Sequence, residues 1–450
     1  MSIGAQTAAA LVRAIVIAAL VLGVAGSLSR WLTAYRGPLR SLAWVMLLAP
    51  FFTPSLLISY AFSKVFLALI VAPLSREALY VGVLALKLVP VAVLVRVLIP
   101  PPLSDEARHV HRLLTGSSWM ARIKFAVRGA GAGPWIASGA VFLLAFADFE
   151  LASLWSIRTW TVALFDAQAG GLALAETLRL AALPLAVELC VLALIVRRLP
   201  RTTERRAPAR PESIAATAPW LYLVSSAALV CLLPLIIIAS QAAPGLPSLA
   251  ESFVLGHELG ASALFAIGAA LSAGTLARLA RKNPASALAL GAPGLLGALV
   301  VALLVLSLFQ LPALRPVYDS PLPLLLALTI VLLPLALLLG AMDSSPTPGL
   351  HLARQLGSRR LIWEMETRPQ AAALGLLFCC AWSDFTASSI LAPVGLTPVF
   401  ARLHNLAHYG QTAVLSAMML AAFAVPVLAL LLAGFVARVV TTRKTAAFRS

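Results

Sequence analysis

The chain is short of charge. Lys, Arg, Asp and Glu make up 11% of its 450 residues, and only 17 of those are acids. A soluble domain carries about twice that charged fraction, so a soluble globular fold is excluded. Cysteine is scarce as well. Cys190, Cys231, Cys379 and Cys380 all lie in apolar runs, with neither a disulfide framework nor a zinc-ligand spacing. No G-x-x-x-x-G-K-[ST] phosphate loop occurs, so nucleotide chemistry is expected on another chain. No cluster of acids and no nucleophile beside a base sits on a loop. The chain is therefore not expected to be an enzyme, and neither a catalytic residue, a cofactor nor a bound metal is expected in it.

What the chain has is apolar length. Hydrophobic residues make up 61% of it, and several runs reach the ~20 residues that cross a bilayer as a helix. A transmembrane barrel would show short alternating segments instead. The expected fold is an all-α polytopic membrane protein with about 11 spans, read at 8–28, 41–63, 78–100, 135–155, 174–197, 218–241, 254–278, 284–310, 322–341, 371–392 and 411–437. Within 41–73, Pro54 and the Phe51-Phe52-Thr53 break predict a kink or a re-entrant end.

The net charge is +17, and it sits in short loops on alternate sides of the spans. One set of loops carries 25 Lys and Arg, from Arg30, Arg36 and Arg40 to Arg443, Lys444 and Arg449, while Arg76, Arg158, Arg315 and Arg402 lie opposite. The positive-inside rule makes the first set cytoplasmic, with the N-terminus outside and the C-terminus inside. The charge is accounted for by orientation, and no nucleic acid is expected as a partner. The Pro- and Arg-rich stretch 198–217 reads as a cytoplasmic linker between a first half, 1–200, and a second half, 218–450.

The halves share a motif. Ala145-Phe146-Ala147-Asp148-Phe149 recurs as Ala381-Trp382-Ser383-Asp384-Phe385, and Thr161 and Thr397 each follow the Asp by thirteen residues. One helix before each copy lies a cytoplasmic segment with a central glycine. In the first, Ser104-Asp105-Glu106-Ala107-Arg108 opens a short helix that stops near Gly116; in the second, His351-Leu352-Ala353-Arg354 leads to Gly357. Ser104 is a suitable N-cap, with acids placed to suit the helix dipole. Each segment reads as a helix–Gly–helix elbow, stiff enough to fit a groove on another protein. Both copies keep one orientation, so the two pseudo-symmetric halves are expected to be parallel.

This plan resembles the permease subunits of binding-protein-dependent ABC importers of type I. It is most similar to the fused, two-unit permeases of the ferric iron, thiamine and polyamine type. Their coupling loop carries an "EAA…G" motif, here matched by Glu106, Ala107 and Gly116, and by Ala353 and Gly357 with His351 in the Glu position. The family's "ADFG"-like and "tlTvaiy"-like stretches are matched by Ala147-Asp148-Phe149-Glu150 and by Thr159-Trp160-Thr161-Val162-Ala163-Leu164-Phe165, and its helix prolines by Pro90 and Pro334. The resemblance implies a permease in a bacterial inner membrane that forms the translocation path. Two ATP-binding cassette ATPase subunits would dock on the elbows, and a periplasmic or lipid-anchored binding protein would deliver a solute. By resemblance of the Asp-Phe region the solute leans to ferric iron, with thiamine, polyamines and inorganic anions left open. The alternative is a secondary transporter driven by an ion gradient.

Ionisable residues within spans are costly and face a cavity or a partner. They are Asp148, Glu150, Glu176, Glu188 and Asp384, with Lys87 and Arg96. Asp148 and Asp384 either line a path, with Glu150 nearby on another face, or bond a neighbouring helix turn and fix packing. His404 and His408, four apart, have the spacing of a metal pair without a third ligand.

Overall fold

The computed structural model describes residues 2–99, 110, 131–198, 217–250, 253–280, 283–343, 355–356, 359–363, 368–407, 410 and 413–446. No strand occurs among them. Six helices are long and apolar enough to cross a membrane, and nine spans result if each of three bent helix pairs counts as one. The chain is thus a multi-pass helical membrane protein. The nine coincide with nine of the eleven expected spans. The expected span 371–392 is two helices separated at Asp384, and 411–437 falls in a long helix whose described apolar part is Ala413–Leu428.

The chain forms two compact units, Met1–Pro234 with Leu295–Leu299, and Leu235–Gly294 with Val300–Ser450. In the first, α1 (Ile3–Ala34) is followed by the broken pair α2 (Arg40–Phe52) and α3 (Ser55–Val65), the short α4 (Leu67–Val71), and α5 (Pro73–Leu98). Then come α6 (Gly133–Phe146), α7 (Glu150–Leu154), α8 (Trp160–Ala169), α9 (Leu174–Leu180), α10 (Ala182–Arg198) and α11 (Thr217–Ala227). Ser2 caps α1 by accepting from the Ala5 N–H at 3.4 Å. The α2–α3 pair bends by 79°, because Pro54 has no N–H to give and Thr53 is forced into an extended conformation ahead of it. The kink expected at this place is therefore present. Helix α1 lies along α5 and α6, α5 lies on α6, and α10 covers α6. Small residues make the approach close: a Cβ on Gly139 of α6 would come within 2.6 Å of the Ile195 side chain on α10.

In the second unit the elements are α12 (Leu233–Ala242, which begins at the end of the first), α13 (Leu246–Ala250), α14 (Phe253–Ala280), α15 (Pro284–Gly291), α16 (Ala298–Phe309) and α17 (Leu322–Asp343). They are followed by the one-turn α18 (Arg359–Ile362), then α19 (Arg368–Ser383), α20 (Thr386–Leu391), α21 (Val399–Ala407) and α22 (Ala413–Ala446). Helix α14 lies along α17 and α19, and α17 on α19. The expected span 284–310 bends by 103° at Gly297, where φ is +86°, a left-handed conformation suited to glycine.

Outside the apolar stripes, α1 is fixed by charge. The Arg13 guanidinium donates to both Glu77 carboxylate oxygens, at 2.7 and 2.8 Å, and to the Arg158 carbonyl at 3.0 Å. It thereby ties α1 to α5 and to the strap that precedes α8. Glu77 is 37% exposed, so solvent screens the pair. A double-mutant cycle of Arg13→Met and Glu77→Gln, read by thermal unfolding in detergent, is expected to give a coupling of about 0.5–1 kcal/mol. Additive losses would show that the fork holds nothing.

Candidate functional site

The repeated pentapeptide is a helix break in both units, and the aspartate closes it. Helix α6 stops at Phe146, whose carbonyl accepts the Trp160 indole N–H at 2.9 Å. Two residues on, Asp148 Oδ2 accepts the Ala152 N–H at 3.1 Å, which satisfies an orphan donor in the first turn of α7. Helix α19 stops at Ser383, and Asp384 Oδ2 accepts the Ser388 N–H at 3.1 Å and the Ser388 hydroxyl at 3.3 Å. In both units the carboxylate bonds the residue four positions on. In both, the phenylalanine after the Asp packs on the sixth residue of the second helix beyond it, α8 or α21: Phe149 on Phe165 at 4.8 Å, and Phe385 on His404 at 4.6 Å.

The helices that follow are fixed at their starts by hydroxyls. Thr159 caps α8 by accepting the Val162 N–H at 3.3 Å, and Thr161 donates to the Asp148 carbonyl at 2.8 Å. In the second unit, Ser262 of α14 accepts the Val399 N–H at 2.8 Å. Helix α21 starts fifteen residues after Asp384, whereas α8 starts twelve after Asp148. Thr397 therefore lies in the loop ahead of its helix, while Thr161 lies inside its own, so their equal spacing from the Asp is not a structural equivalence.

In the first unit a second break joins the first through one face of α5. Tyr80 and Lys87 are seven residues apart, two turns on the same side and about 10 Å along the axis. The Tyr80 hydroxyl donates to Asp148 Oδ2 at 3.1 Å. Lys87 Nζ donates to the Thr53 carbonyl at 3.0 Å and to Ser55 Oγ at 2.8 Å. The Thr53 carbonyl is one that the α2–α3 break leaves without a helical partner. The Thr53 hydroxyl bonds back to the Ala49 carbonyl at 2.9 Å and lies 3.1 Å from Cys231 Sγ. Cys231 sits in a π-helical turn, Ala228–Leu232, between α11 and α12. Such turns are rare and concentrate at functional positions.

Lys87, Asp148, a broken helix and a π turn thus meet inside the first unit. Each is unfavourable in a membrane unless buried against protein or lining a cavity. Glu150 opens α7, half-buried. The sequence pattern singled out Lys87 and Asp148 separately. It missed Tyr80, for which the seven-residue spacing from Lys87 on an apolar helix was the available signal. Arg96 faces elsewhere, toward Ser29 and Gly26 of α1. The elbow residues Glu106, Ala107, Gly116, Ala353 and Gly357, and His408, lie outside the described residues.

No family model matches the chain, and no curated protein and no solved structure matches it.

Proposed function

We propose that the chain is the membrane-spanning permease of an ATP-driven, binding-protein-dependent importer, built as two parallel related halves. The observation that carries this reading is the Asp-Phe break, which recurs with the same aspartate cap and the same phenylalanine packing. The order of helices around it supports the same reading. A long first helix (α1, α14) packs on a proline-containing helix (α5, α17) and on the helix that ends at the break (α6, α19). On this reading the protein lies in a bacterial inner membrane with the N-terminus outside. Two ATPase subunits dock on the elbows around Gly116 and Gly357, and a binding protein delivers the solute. Ferric iron is the solute toward which the Asp-Phe region leans, with the carboxylates of Asp148, Asp384 and Glu150 as the groups it would pass.

One observation favours a second reading, a secondary transporter driven by an ion gradient. The charged groups of the path-forming helices are unequal, with Lys87 present in α5 and an apolar residue, Val331, equally far ahead of the proline in α17.

Affinity capture of the full chain in mild detergent, read by mass spectrometry, separates the two. The permease reading expects an ATPase at two copies per chain, lost on Gly116→Pro with Gly357→Pro while the chain stays monodisperse. Recovery of the chain alone, with solute uptake into vesicles driven by a proton or sodium gradient without ATP, overturns it.

A further inference from the structure

Glu188 is a fully buried acid of the first unit that none of the foregoing uses. It lies in α10, and neither carboxylate oxygen has a hydrogen-bond partner among the described residues. It shares a stripe with Pro184, Leu192 and Ile195, the other buried positions of α10. Val191 and Ile195, three and seven residues on, touch Gly139 of α6. Residues so spaced share a helix face, which places Glu188 against α6 near Phe142 and Leu143, both buried.

Among the described residues no cationic side chain bonds Glu188. Helix α6 has no titratable side chain over its whole length. Helix α1 brings Arg13, engaged by Glu77 and the Arg158 carbonyl, and Arg30, which donates to the Gly26 carbonyl. Helix α9 brings Glu176 and Arg179. On α10 itself Cys190 is exposed, and Arg197 and Arg198 are more than two turns away at the end, with Arg198 over the Trp135 ring. An ionised carboxylate without partners in an apolar interior is too costly to persist, and the group takes up a proton instead. Burying even the neutral acid without a hydrogen bond is unfavourable, so its presence calls for a use.

We propose that Glu188 is a proton-binding site in the membrane core of the first unit. Its carboxylate takes one proton from water to become the neutral acid as α10 closes on α6. It returns that proton to water when the two helices part. The packed state holds a proton that the parted state loses, so rising pH favours parting, by roughly tenfold in the opening equilibrium per pH unit.

The test needs neither an ATPase nor a solute, so its failure is distinct from failure of the permease reading. The full chain in liposomes is treated at neutral pH with a hydrophobic carbodiimide, which reacts with protonated carboxyls in apolar surroundings. A single adduct on Glu188 is expected, lost in Glu188→Gln and not formed by a water-soluble carbodiimide. Hydrogen exchange of the α10 backbone is then followed across pH. Beyond its intrinsic pH dependence it should rise roughly tenfold per pH unit in the wild type and not in Glu188→Gln. Because removing a buried unpartnered acid should not unfold the protein, Glu188→Leu serves as the folding control, with an expected rise in thermal midpoint. No adduct at Glu188, an adduct formed equally by the water-soluble reagent, or the same exchange profile in wild type and Glu188→Gln each overturns the proposal.

Discussion

Asp148→Ala is expected to destabilise the first unit by about 3 kcal/mol, while Asp148→Asn costs about 1 kcal/mol or less. The alanine removes the acceptor of two described bonds, the Ala152 N–H and the Tyr80 hydroxyl. Bonds to a charged partner contribute about 1.5–3 kcal/mol each, and the buried Tyr80 hydroxyl is left without an acceptor. Asparagine keeps an oxygen in place for the cap and for the phenol. Tyr80→Phe in the same background completes a double-mutant cycle, with an expected coupling of about 1–2 kcal/mol. Denaturant titration in mild detergent measures all five proteins, the four of the cycle and Asp148→Asn. The pair also separates the two roles open to Asp148. If the charge itself lines a path, the stable Asp148→Asn protein loses solute uptake; if the residue acts as a cap, Asp148→Asn transports and Asp148→Ala does not. Equal destabilisation by alanine and asparagine would remove the cap from the account.

How much of this was legible in the residues differs from feature to feature. Spans were legible because a bilayer demands length and apolarity, and both are local properties of sequence. The bend at Thr53-Pro54 was legible for a similar reason, since proline removes a donor wherever it stands. The bend at Gly297 was not anticipated, although Pro293, Gly294 and a glycine at a left-handed position lay inside the span 284–310. An apolar run long enough to cross masks such signals, because neighbouring helices re-satisfy the freed backbone groups. What the structure shows on this side is close packing: Gly294 lies so near the Ile330 carbonyl and Pro334 ring of α17 that a Cβ would overlap them.

The repeated Asp-Phe motif was visible as a repeat, but its use as a helix-break cap was only one of two open roles, because the capped donors at Ala152 and Ser388 are ordinary residues. Long-range partners were illegible. Tyr80 meets Asp148 across 68 positions of sequence, and Thr53 meets Cys231 across 178; the Tyr80–Lys87 spacing marks a shared face of α5 but names neither partner across those distances. The π turn opposite Thr53 likewise has no composition that marks it.

The two second-helix breaks are closed by different means, and this gives the second large expectation. In the first unit the freed Thr53 carbonyl is held by the flexible side chain of Lys87. In the second, the break is closed by the backbone approach of Gly294 to α17. Counting back from the helix prolines Pro90 and Pro334, the place of Lys87 is taken by Val331. A long ammonium side chain can release and re-form its bonds, whereas close-packed backbone cannot part without opening a void. Lys87→Met is therefore expected to leave the Thr53 carbonyl and Ser55 hydroxyl without their donor and to destabilise the first unit by about 1–3 kcal/mol.

The change has a built-in reporter, because Cys231 lies against Thr53. In a background with Cys190, Cys379 and Cys380 replaced by alanine, a membrane-permeant maleimide should label Cys231 several-fold faster in Lys87→Met than with Lys87 present, as loosening of the break admits reagent. Val331→Ala, a change of similar burial in the second unit, should leave that rate unchanged. If labelling of Cys231 is the same with Lys87 and with methionine, the lysine is not what closes the break. If Val331→Ala accelerates it as much, the opening is a general loosening of the fold. Faster labelling in Lys87→Met alone would make the α2–α3 break of the first unit the movable one, held shut by a single side chain reaching across from α5.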